Sequence, residues 1–281
     1  MQANGTRNLP NGPGSGATII CMKASSVQQI AKGTMVLDII FWDIDGTLIR
    51  TGKAGLFAFQ SAAAELGLNQ VDLRQIQAAG MTDYSIAGQI IAAVTGQPAT
   101  PEEITALTGR YEDLLPEYLA RHEGRVLPSV REILAELHKQ GAISLLLTGN
   151  SRRGAELKMQ KFALESYFDF ERSAFCENSQ TRDDIAWRAL FSVKALTAAN
   201  PARVFVIGDT PHDVRCGKLI GAYTIGVATG TFSVEALAEH SPWWVTEQLP
   251  AAPEFMGRLA PMTHSHVRAV QDKGSTTENA C

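Results

Sequence analysis

The chain has no long apolar run, no closely spaced cysteines and no surplus of one charge, and each absence excludes something. No stretch approaches the roughly 18 apolar residues that cross a bilayer. Residues 17–22, ATIICM, are too short for a signal-peptide core and follow no clear basic region. Cys21, Cys176, Cys216 and Cys281 contain no CxxC pair, and in a long α/β pattern they read as free thiols of a reducing compartment. A net charge of −4, with Lys and Arg scattered, gives no footprint for nucleic acid or an anionic membrane. A cytoplasmic protein is expected. The sequence carries no signal for an oligomeric state.

What is present is an ordinary globular composition, 45% hydrophobic and 19% charged over 281 residues. That length suits one substantial domain with an insertion, or two modest ones. Residues 1–16 are rich in Gly, Asn and Pro, and Met35 directly precedes the first strand, so 1–34 are expected to form a disordered arm or leader. Residues 261–281 are polar and read as a flexible tail.

Between these ends, apolar strands alternate with helical periodicities. Strands are predicted at 36–42, 143–147, 204–207, 223–227 and 243–246. Helices are predicted at 53–68, 72–79, 83–95, 101–121, 130–139, 153–162, 182–198 and 211–220. Such alternation implies an α/β fold, a Rossmann-like and mostly parallel sheet with helices on both faces. Asp43 and Thr148 are 105 positions apart (148 − 43), whereas a βαβ unit needs only about 30 residues. The surplus is helical. An inserted all-helical cap is expected over 52–124, with the α/β core formed by 35–51 and 125–260. Gly52, Gly55 and Gly124 supply connectors that a hinge can use.

The most informative stretch is FWDIDGTLIR, 41–50. Side-chain alternation puts Asp43 and Asp45 on one side as they leave the carboxyl end of the strand, where α/β sheets bind ligands. Two such close carboxylates need a cation, a proton or hydrogen-bond donors to compensate them. The pair suggests a metal-assisted site with one nucleophilic and one proton-transferring carboxylate. The plain alternative is a strand entering a solvated Asp-Gly turn.

Three downstream positions bear on the choice. LLLTGN, 145–150, ends a strand in a hydroxyl and a Gly-Asn turn, so Thr148, Gly149 and Asn150 can cradle phosphate oxygens; alone, Thr148 reads as a turn or cap residue. TRDD, 181–184, opens a helix with a capping-box-like pattern. Arg182 then sits in a first turn where the macrodipole disfavours a cation by roughly 0.3–1 kcal/mol. A nearby phosphate would give it a reason, and an exposed Arg pairing with Asp183 is the alternative. VFVIGDTPHD, 204–213, ends a strand at Gly208, with Asp209 at its tip and Asp213 four residues on. Asp213 can also complete a capping box with Thr210. Carboxylate oxygens beside a phosphate suit Mg²⁺.

In this order, DxDGT, the strand-ending Thr, the helix-opening Arg and GDxxxD resemble the four motifs of the haloacid dehalogenase superfamily in its phosphatase form. Arg182 stands where a Lys is commoner, and Lys194 is the nearest alternative cation. AGMTDY, 79–84, is similar to the GxTD segment in helical caps of phosphoglycolate-phosphatase-like members, although Asp83 can equally cap the following helix. The resemblance implies that Asp43 attacks phosphorus to give an aspartyl-phosphate and that Asp45 serves as acid and then base. It implies Mg²⁺ on Asp43, the Asp45 backbone carbonyl, Asp209 and Asp213, with Thr148 and Arg182 on the phosphoryl oxygens. The implied substrate is a small-molecule phosphomonoester, phosphoglycolate being the family-weighted choice. Asp45 disfavours dehalogenase and phosphonatase chemistry. A β-phosphoglucomutase-like phosphomutase is the enzymatic alternative and a phosphate-binding scaffold the non-enzymatic one. Lys53, Arg74 and Asp83 are the cap residues that could face the pocket. His212 and the pair Trp243-Trp244 are assigned no chemistry.

Overall fold

The structure, a computed structural model, describes residues 36–69, 71–177, 181–198 and 201–260. The expected arm at 1–34 and tail at 261–281 lie outside the described residues, as do Cys21 and Cys281. In chain order the elements are β1 Leu37–Trp42, β2 Ile49–Arg50, α1 Ala54–Glu65, α2 Asp83–Thr95, α3 Pro101–Arg121, β3 Arg125–Val126, α4 Val130–Lys139 and β4 Ile143–Leu146. They continue with α5 Arg152–Lys161, α6 Arg182–Thr197, β5 Ala202–Gly208, α7 Pro211–Leu219, β6 Tyr223–Val227, α8 Val234–Ala238, β7 Trp244–Thr246 and α9 Ala252–Leu259.

Five strands form one parallel sheet in the order β4-β1-β5-β6-β7. β1 shows why both faces are covered, since every residue from Ile39 to Trp42 is buried. Ile39 and Phe41 join Val204, Val206 and the inward residues of α6 and α7. Ile40 and Trp42 join Phe205, Ile207 and residues of α4, α5 and α9. An apolar run with no polar face can be stable only between two helical layers. Each such large side chain contributes roughly 1.5–3 kcal/mol on burial. β1 lies between β4 and β5: from β1 the chain crosses to β4 on one side and only afterwards to β5 on the other. The resulting crevice lies at the carboxyl ends of the three strands.

α1, α2 and α3 occupy the long insertion between β2 and β3. Their buried residues, among them Phe59, Ile90 and Leu107, form a core continuous with the α6–α7 face. Phe59 of α1 stacks on Tyr111 of α3 with ring centroids 3.8 Å apart. The entry and exit of the insertion pair as a short antiparallel ribbon, Ile49 opposite Val126 and Arg50 opposite Arg125.

The helix expected at 72–79 is not formed. Only a 3₁₀ turn, Leu73–Gln75, is present. Asp72 accepts the Arg74 backbone N–H at 3.0 Å and pairs with the Arg74 guanidinium. Such a local side-chain bond offers the backbone an alternative to a helix. α8 and α9 were not expected. The Trp pair does pack, with Trp244 against Phe255 and Trp243 against Phe205.

Candidate active site

β1 ends at Trp42, one residue before the first carboxylate, but the ladder continues through the Asp43 N–H, which donates to the Ile207 carbonyl at 2.9 Å. The chain then turns, with the N–H groups of Leu48 and Ile49 both donating to the Ile44 carbonyl. Asp45 is thus placed by a turn rather than by strand alternation, and the two carboxylates face different partners. Both still line one cavity, as expected, but a turn rather than the pleat puts Asp45 there. Gly46 is needed in this turn: its φ is +90°, and a Cβ there would lie 2.4 Å from the Asp209 carboxylate.

Asp43, Asp209 and Asp213 bring carboxylate oxygens within 4.8 Å of one another, all three buried. Arg182 is buried beside them. Its Nη2 donates to Asp43 Oδ1 at 3.1 Å and its Nη1 pairs with Asp213 Oδ1 at 3.2 Å. Its other donors reach the carbonyls of Gly80 and Leu147. Arg182 is therefore the buried cation of this cluster, while Lys194 is exposed on α6. Thr181 caps α6 by accepting the Asp184 N–H, which lets the helix begin with an inward-facing Arg. Asp213 meets its expected capping role: Oδ2 completes the capping box with Thr210, while Oδ1 faces Arg182.

One guanidinium does not balance three buried acids. Burial first, and then Asp213, push Asp43 above the usual carboxylate range, although Arg182 and the Thr148 hydroxyl oppose them. Burial, Asp43 and Asp213 push Asp209 up further. Crowded hard oxygens that retain protons for want of positive charge fit a divalent cation such as Mg²⁺. Asp45's carboxylate stands outside this trio.

Asp45 is 42% exposed on the wall of a cavity of about 530 Å³, which Asp43, Asp209 and Arg182 also line. Its Oδ2 accepts from Asn150 Nδ2 at 3.0 Å and from Lys158 Nζ at 2.6 Å. Asn150 also donates to the Thr148 hydroxyl at 2.8 Å, and its Oδ1 accepts from Lys158. Thr148 is fully buried beneath the cavity, whereas Gly149 and Asn150 line it.

Lys158 was missed by the sequence reading. It lies on the inward side of α5 with Gly154, Ala155 and Met159, almost fully buried. Burial pushes its ammonium down, but Asp45 and Asp83 outweigh burial and hold it above its ordinary value. Small residues at 154 and 155 mark the face that packs closely, and a lysine one turn later on that face was the available signal.

The loop 79–83 of the insertion seats on the core. The Asp83 N–H donates to the Gly149 carbonyl at 2.7 Å, and Asp83 Oδ2 accepts the Ser151 N–H at 2.8 Å. A Cβ on Gly149 would lie 2.2 Å from the Met81 carbonyl, so the approach depends on glycine. Thr82, rather than Asp83, caps α2. Burial raises Asp83 to about 6 even with Lys158 nearby. His212 touches the same loop at Gly80. Lys53 and Asp83 line the cavity, whereas Arg74 points away and pairs with Asp72. Cys176 and Cys216 are free and buried.

Against known sequences, the profile described as haloacid dehalogenase-like hydrolase matches residues 39–227. The chain belongs to the haloacid dehalogenase-like hydrolase family. It is 29% identical over 207 residues to "Probable phosphatase IndB" of Dickeya dadantii (strain 3937), covering 73% of this chain and 86% of that protein. It is 23% identical over 215 residues to a phosphoglycolate phosphatase of Vibrio cholerae serotype O1, covering 76% and 94%. Among solved structures, a hydrolase from Pseudomonas syringae shares the fold with a TM-score of 0.55 and 18% identity, over 80% of this chain and 99% of that one. No helix among the described residues is long and apolar enough to cross a membrane.

Proposed function

We propose that this hydrolase is a Mg²⁺-dependent phosphatase of a small-molecule phosphomonoester, acting in a reducing cytoplasm, with phosphoglycolate as the first substrate to test. The observation that carries the reading is the division of the two first-motif carboxylates. Asp43 belongs to a buried, acid-rich cluster facing Arg182, while Asp45 stands apart with one oxygen held and the other unbonded among the described residues. That is the separation a nucleophile and a proton carrier require.

Asp43, Asp209, Asp213 and the Asp45 backbone carbonyl would hold the cation. When bound, Mg²⁺ supplies charge neutralisation for the carboxylates and the phosphoryl oxygens. Asp43 Oδ attacks phosphorus in line as the bond to the ester oxygen breaks, and Asp45 protonates that oxygen. Asp45 then takes a proton from the water that hydrolyses the aspartyl-phosphate. Arg182 and the Thr148–Asn150 loop orient the phosphoryl oxygens. Loop 79–83 closes the cavity as the edge of a cap spanning 52–124, limiting the water that reaches Asp43.

Phosphate release from a panel that includes phosphoglycolate, hexose phosphates and p-nitrophenyl phosphate tests the reading. Turnover should require Mg²⁺ and vanish in Asp43→Asn, whose amide is neither nucleophile nor good ligand. Near-normal release by a clean Asp43→Asn preparation would overturn it.

A further inference from the structure

Lys158 is a buried charge on a helix face that otherwise packs with small and apolar residues. An ammonium there is costly to desolvate, and an apolar residue of similar size would pack more cheaply. Structural need therefore does not explain it. Its contacts do. Lys158 Nζ is 2.6 Å from Asp45 Oδ2, and Asn150 Nδ2 binds the same oxygen at 3.0 Å. Lys158 also donates to Asn150 Oδ1, so the three side chains close a ring of hydrogen bonds. Two donors on one oxygen fix the carboxylate's rotation. From the insertion side Asp83, at the seat of loop 79–83, also acts on the ammonium.

We infer that Lys158 is a positioning residue for proton transfer by Asp45: with Asn150 it clamps Oδ2, so that Oδ1 faces the leaving-group oxygen. This rests on the acid–base reading of Asp45. In the step it serves, the electron pair of the P–O ester bond goes to the departing oxygen, the Oδ1 proton goes to that oxygen, and Asp45 becomes a carboxylate. Lys158 keeps its own protons. Its charge beside Oδ2 stabilises the anion that forms, an interaction stronger in the transition state than before it.

The test measures the alcohol released in the first turnover from phenyl, m-nitrophenyl and p-nitrophenyl phosphates, which need progressively less protonation. Asp45→Asn, Lys158→Met and the double variant are compared with the parent protein at saturating Mg²⁺. Lys158→Met is close in length and relieves a buried charge; Lys158→Gln serves as a second variant, and both are checked by thermal unfolding. The expected result is a steeper leaving-group dependence in both Lys158 variants, with the loss on phenyl phosphate at least tenfold greater than on p-nitrophenyl phosphate. The double variant should lose little beyond Asp45→Asn alone, because the two residues act as a unit.

A uniform loss across the three esters in folded Lys158 variants, or fully additive losses in the double variant, would overturn the role of Lys158 while leaving Asp45 as the acid. A flat response in Asp45→Asn would instead overturn the acid–base reading itself, and the inference with it. A structural defect alone would slow all three esters alike.

Discussion

Removing one charge from the Asp43–Asp209–Asp213 cluster should stabilise the metal-free protein and abolish its response to Mg²⁺. At the 4.8 Å bound on their separation, each ionised pair repels by roughly 3–4 kcal/mol at an effective dielectric of about 20. Arg182 offsets part of this through its contacts at 3.1 and 3.2 Å. Raised carboxylates hold protons in the native state that the unfolded chain gives up. Their contribution to stability is therefore greatest below the unfolded value near 4 and falls as pH rises through the raised native values. Mg²⁺ competes with those protons, so its effect should grow between pH 6 and pH 8. At 100 times its dissociation constant, a ligand stabilises by about 2.7 kcal/mol, which in a domain of this size raises Tm by roughly 5–10 °C. Asp209→Asn retains an oxygen for the Thr47 hydroxyl, 3.2 Å away. Without Mg²⁺ it should melt no lower than the parent, and with Mg²⁺ its Tm should not move. Scanning fluorimetry at several pH values reads both. A full Mg²⁺ shift in Asp209→Asn, or none in the parent, would refute the reasoning.

Arg182→Ala leaves Asp43 and Asp213 buried and unpaired, so urea unfolding should show a loss on the order of 3–5 kcal/mol. Arg182→Lys should lose less, because one ammonium replaces only part of a fork that meets Asp43, Asp213 and the Gly80 carbonyl; equal stability of the Ala variant and the parent would remove Arg182 from the cluster's charge balance. For Asp83, raised to about 6 by burial, native stability falls as pH rises from about 4 to about 6. The gap between parent and Asp83→Asn should shift against the parent by up to about 3 kcal/mol over that window, and a gap that does not change with pH would mean that Asp83 is ionised in its seat throughout.

The strongest parts of the site were legible because strand chemistry leaves a mark. An apolar run that ends in an acid, as at Trp42-Asp43 and Gly208-Asp209, has few purely structural explanations, and the parallel sheet then places such tips side by side. Arg182 could be read because a cation in a first helical turn works against the dipole. The reading failed where local chemistry competes with periodicity. At 72–79 the apolar spacing suits a helix, yet the Asp72 side chain captures the Arg74 N–H that a helix would use. The two-residue strands β2 and β3 are too short to carry a period of two.

Lys158 shows a different limit. In Arg152–Lys161 polar residues dominate, so a lysine there is unremarkable by composition, and only its phase with Gly154 and Ala155 separates it from the exposed Lys161. What gives it meaning is a partner 113 positions away, Asp45, whose orientation follows from a turn that the DxDGT string does not reveal. The same holds for loop 79–83, where Asp83 reads as a helix cap until the Ser151 N–H and the bare Gly149 are brought beneath it. Periodicity identifies the elements that carry a site. The contacts that aim its side chains are made between elements, and they become visible only when the sheet and the insertion are put together.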